Sequence, residues 1–204
     1  MTPAALVRKK LNAARARLLL DRPFIGALVV HLPLVESMRC RRIATDARAI
    51  YYDVGYIASL SFAQTCFMLA HEALHAALLH WRRGGHRLRA RWDRACDYAV
   101  NQLLVDDGMS APLDALLNAT CRGLTADEIY ALLDDASDET PLDEHWFGSD
   151  ALRSGIPAAL TRRDTTGAEH DVQTLIEAHR DGFEELALRA DTASAVDRAA
   201  EWQA

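Results

Sequence analysis

Residues 62–83 constrain this 204-residue chain more than any other stretch. Phe67, Met68, Leu69, Leu74, Leu78 and Leu79 make the predicted helix apolar nearly all round, which belongs in a core. Ser59 and Ser61 offer caps at its start, and Gly84-Gly85 offers a stop. Yet the same stretch carries His71, Glu72, His75 and His80. Ionisable groups in an apolar interior are costly unless something pairs with them.

The arrangement His71-Glu72-Ala73-Leu74-His75 is HExxH. At about 100° per residue, the two histidines lie about 40° apart on one face, one turn apart. Two imidazoles so placed can reach one Zn²⁺ at about 2.0–2.1 Å. Glu72 projects about 100° round from His71, where it can act on a metal-bound water without ligating the metal. That makes Glu72 the candidate general base. The bland alternative is a set of satisfied core histidines. On a continuous helix His80 would lie about 180° from His71, so it is expected to make a polar contact on the opposite face.

Catalytic zinc takes three protein ligands. In the next predicted helix, WDRACDYAVNQLL, Asp97 sits among Ala95, Cys96, Ala99 and Val100, in core-like company, and is the candidate third ligand. Asn101, one turn on, can hydrogen-bond a ligand from behind. Asp93, among Arg91, Trp92 and Arg94, reads as a solvated, ion-paired residue.

Around these two helices, Thr2-Pro3 opens a helix with apolar residues at helical spacing through Leu20, and residues 24–31, apolar enough for helix or strand, read rather as a second helix, ended by Pro33. Residues 42–53 read as a β-hairpin turning at Thr45-Asp46-Ala47. Thr125 caps a short helix running to Leu133. Residues 134–170 are polar and weakly periodic, a long loop or flap. Residues 171–190 read as helix, and 191–204 as a helical or frayed tail.

Net charge is −6, which disfavours a broad nucleic-acid surface. The arginines between positions 82 and 94 read either as solvated helix-end cations or as a rim for an acidic ligand. Cys40, Cys66, Cys96 and Cys121 form no CxxC pair and read as reduced thiols, in keeping with a cytoplasmic protein. No signal peptide and no bilayer-spanning run are expected.

The segments HEALHAALLHWRRGG, WDRACDYAVNQLLVDDG and LTADEIYALL resemble the bacterial metallopeptidase domain often found ahead of a von Willebrand factor A-type domain. The resemblance runs over about residues 6–133. It implies an α+β, mostly helical, zincin-like fold with a small hairpin before the HExxH helix and a second site helix after it. It matches His71, His75 and Asp97 to the metal ligands and Glu72 to the base. The division that follows is a core over 1–133, a flap over 134–170 and a C-terminal helical segment over 171–204. The implied activity is zinc-dependent hydrolysis of a peptide or protein. A partner would supply the von Willebrand-type domain, and the alternative is a non-catalytic, zinc-stabilised scaffold. In such folds the strand before the HExxH helix borders the cleft, which makes residues 42–53 a candidate edge for substrate backbone. Tyr98 could donate to an oxyanion or simply pack in the core. His145 could be a flap residue, an extra ligand or an ordinary loop histidine.

Overall fold

The computed structural model describes residues 2–134 and 140–145. The predicted helix over 171–190 and the tail beyond it lie outside the described residues. The architecture is α+β and mostly helical. Helix α1 spans Pro3–Asp21, capped by the Thr2 side chain, and buries Val7, Leu11, Ala14 and Leu18 along one stripe. Helix α2, Pro23–His31, crosses it closely at Gly26, where a Cβ would stand 2.3 Å from Leu19 Cα, so no larger residue fits. Arg15 of α1 reaches over to the Val29 carbonyl at 2.9 Å, closing the exposed end of α2.

A small sheet follows. Strands β1 (Leu34–Glu36), β2 (Ile43–Thr45) and β3 (Ile50–Tyr52) are joined by a two-residue β4 (Glu144–His145), in the order β1-β3-β2-β4. The hairpin expected over 42–53 is β2-β3, antiparallel, with Ile43 opposite Tyr52. Its turn is held by Asp46, whose Oδ1 accepts from the Arg48 and Ala49 amides at 2.9 Å. One expectation is corrected here. Neither hairpin strand is an open edge, because β1 pairs with β3 and β4 pairs with β2, both in parallel. Sequence pattern gave no sign of these short partners, since two or three residues are too few to show alternation.

Helix α3, Val54–Ser59, was not foreseen; its cap is Asp53, which accepts from the Tyr56 amide at 2.7 Å. Helix α4, Phe62–Ala77, begins with a reciprocal capping box between Ser61 and Gln64 and is buried over most of its circumference. It does not run on to residue 83. Leu79 takes a left-handed conformation, φ 55°, and a separate turn, α5 (His80–Arg83), starts beyond it. A left-handed non-glycine costs on the order of 1–2 kcal/mol, so packing holds the break in place. The Trp92 indole donates to the His80 carbonyl at 3.0 Å.

Helix α6, Arg89–Asp106, returns beside α4. Val100 and Leu104 join the main core with Phe67, Met68 and Leu69. Ala95 and Tyr98 face the other way, toward Ile129 of α7 (Ala126–Leu132). Of the arginines between 82 and 94, three fasten α7 to this layer. Arg83 and Arg87 pair with Asp127, and Arg91 donates to the Tyr130 carbonyl at 2.8 Å and lies over its ring. Arg89 stands 3.7 Å from Asp93, an i,i+4 pair as expected for Asp93.

Candidate metal centre

The α4–α6 interface gathers His71, His75 and Asp97, and a fourth residue joins them: Asp143, just before β4. One donor atom from each lies within 4.8 Å of all the others, and all four residues are buried. His71 Nε2 is 3.9 Å from Asp97 Oδ1 and 3.7 Å from Asp143 Oδ1; His75 Nε2 is 3.7 Å from Asp97 Oδ1. These spacings exceed a hydrogen bond. Two atoms bound tetrahedrally at 2.0–2.1 Å from one ion stand about 3.3 Å apart. These three pairs stand about half an ångström wider than two ligands of one ion, and every pair lies within 4.8 Å.

The orientation of each donor is enforced from behind. Asn101 Nδ2 donates to the Leu116 carbonyl at 3.1 Å, which turns its Oδ1 toward His71 Nδ1 at 2.9 Å. An amide oxygen only accepts, so His71 carries its proton on Nδ1 and presents the Nε2 lone pair to the centre. Asn101 thus stands where the one-turn spacing from Asp97 puts it. His75 Nδ1 meets His80 Nδ1 at 3.1 Å, again leaving Nε2 inward. This corrects the placement of His80. The projection to the far face assumed an unbroken helix, whereas the left-handed Leu79 swings His80 back against His75. His80 in turn stands edge-on to Trp92. Asp97 Oδ2 accepts from the Leu142 amide at 2.7 Å, aiming Oδ1 at the histidines.

Glu72 is fully buried one residue from His71 and outside the four-donor group. Together with Asp97 and Asp143 it places three carboxylates in one interior region. Burying such charge is costly without a cation, and a divalent ion among two imidazoles and two carboxylates supplies one. The donor set therefore fits a metal ion.

Tyr98, by contrast, is a core residue of the α6–α7 side, packed with Ala95, Cys121 and Ile129. His145 is the second residue of β4, paired with Thr45. Within the described part of the polar segment, residues 140–145, the side chain that reaches the centre is Asp143. The signal was an acid two residues before the histidine singled out from the sequence; with no periodicity around it, nothing projected its direction. Tyr56 lies on α3. Its hydroxyl is buried without a hydrogen bond among the described residues, and burial pushes its ionisation well above the usual tyrosine range. The charges of Asp114, Glu72 and Asp143 push it the same way.

A buried two-histidine, two-carboxylate centre built on an HExxH helix is the kind of site that metal-dependent hydrolases use. The chain belongs to the family described as a putative metallopeptidase domain, whose model matches residues 7–200. No curated protein and no solved structure matches it. No helix among the described residues is long and apolar enough to cross a membrane.

Proposed function

We propose that the protein is a zinc-dependent peptidase of zincin-like fold. The observation that carries this reading is the convergence of donor atoms of His71, His75 and Asp97, from two packed helices, in one buried cluster, with Glu72 buried next to His71 in the chain. Two imidazoles in the donor set favour zinc over magnesium or calcium, which prefer all-oxygen ligands. Bound there, the ion would polarise a scissile carbonyl and acidify water. His71 and His75, each held through Nδ1, present Nε2; Asp97 supplies one negative charge; Glu72 takes the proton from water and returns it to the leaving amine. The substrate in this reading is a peptide or protein in a cytoplasmic setting. The pairing with a von Willebrand factor A-type partner rests on the sequence resemblance and is checked by co-purification.

Metal analysis of protein purified without added metal tests the centre. Near-equimolar zinc is expected in the wild type and a background level in His71→Ala; equal zinc in both rejects the site. Glu72→Gln should keep the metal and the fold while lowering cleavage of an unstructured protein by roughly 10²–10⁴-fold, the usual worth of a general base.

A second reading is favoured by Asp143. Four protein ligands make a closed shell, the arrangement of structural zinc sites. A scaffold would bind zinc, melt at lower temperature without it, and lose no biological activity on Glu72→Gln.

A further inference from the structure

The four donors are not carried alike. His71, His75 and Asp97 stand on α4 and α6, helices of 16 and 18 residues packed against each other. Asp143 immediately precedes β4, which spans Glu144–His145 and, among the described residues, pairs only with β2. One short segment therefore does two things at once. It covers the outer side of β2, and it sets a carboxylate against the inward Nε2 of His71.

Both positions are ones a substrate would need. An extended peptide adds to a sheet by pairing with an open strand side, and here that side of β2 is taken by Glu144 and His145. A reacting carbonyl or water needs the fourth position on the ion, and here Asp143 faces it. Asp143 also brings the formal charge of a dication, two neutral imidazoles and two carboxylates to zero, whereas the three helix-borne ligands alone leave it positive. A net positive centre attracts a carbonyl oxygen or hydroxide better than a neutral one.

Leu142 is fully buried in the main core, and its amide holds Asp97 Oδ2 at 2.7 Å. The Leu142 amide thus holds Asp97 from a core position next to Asp143.

Resting on the metallopeptidase reading, we propose that Asp143 is an exchangeable fourth ligand and that β4 stands in for substrate. An extended peptide that pairs with β2 replaces β4 and Asp143 together, and Leu142 remains as the fixed end of the segment. In the exchange the Asp143 carboxylate leaves as an anion and a neutral oxygen ligand enters, so no other group need gain or lose a proton.

The test uses the full chain loaded with Co²⁺, whose visible absorption reports coordination number, and azide as a small probe of an open position. The wild type should bind Co²⁺ and give a spectrum that azide leaves unchanged. Asp143→Ala and Asp143→Asn should still bind equimolar Co²⁺, with an altered spectrum that azide shifts further, and should cleave an unstructured protein faster than the wild type. The proposal is overturned if azide shifts the wild type as much as the variants, because the position is then already open. It is overturned equally if folded variants fail to hold Co²⁺, or if both variants unfold, because Asp143 is then an obligatory part of the site. Failure of the underlying reading looks different: His71→Ala and Asp97→Ala would then bind Co²⁺ as the wild type does, whatever Asp143 does.

Discussion

The α1–α2 crossing and the α4–α6 crossing are both helix pairs within one core, and they close in opposite ways. At the first, backbones approach until only Gly26 fits against Leu19, with Leu11 and Leu18 buried in the shared core. At the second, the gap between helices is filled by His71, Asp97 and Asn101, with His75 nearby. An apolar crossing is complete in itself and contributes stability through burial. A polar crossing is complete only when every donor and acceptor is satisfied, and here the geometry leaves room for an ion at its middle. The contrast separates what keeps the chain folded from what it is built to hold.

Three substitutions sharpen that contrast, in falling order of effect. Gly26→Ala forces a Cβ into the Leu19 backbone and should destabilise by about 3 kcal/mol, the upper part of the usual overpacking range. Chemical denaturation should show this, with the Co²⁺ spectrum of the remaining folded protein unchanged. An altered spectrum would mean the two crossings are not separable. His80→Ala removes the ring contact behind His75 Nδ1 that orients its Nε2 inward and should weaken metal binding by roughly 10–100-fold. Its metal-free melting point should move much less than that of Gly26→Ala. If competition with a chelator shows unchanged affinity, His80 merely fills space beside Trp92. Smallest of all, Asp127→Asn loosens the half-exposed pairs with Arg83 and Arg87. It should cost less than about 1 kcal/mol, with the cost shrinking further in salt.

Much of this layout is visible in the chain itself, and the reasons are local. Thr2-Pro3, Ser61 and Thr125 mark helix starts because capping depends on a few neighbouring residues. Asp97 and Asn101 could be picked out because an acid and an amide one turn apart in small apolar company contrast with their surroundings. His80 was misplaced for the complementary reason. The projection is sound for a helix, but the helix stops at Ala77, and nothing in LLHWRR announces a left-handed leucine at 79. The strands β1 and β4 are too short to leave a pattern, so the sequence shows the hairpin as an edge although both its sides are covered.

Sequence by itself determined the relation between His71, Glu72 and His75, because residues little more than one helical turn apart have their directions set by the 3.6-residue period. It also determined that this turn lies in the interior, because apolar residues surround it. Tertiary structure alone decided that His80 turns back to His75, that Asp97 is aimed by the Leu142 amide, and that Asp143 arrives at the same point from another element. The physical reason is range: a helix propagates direction over a few residues, whereas positions 97 and 143 are brought together only by packing of the whole core.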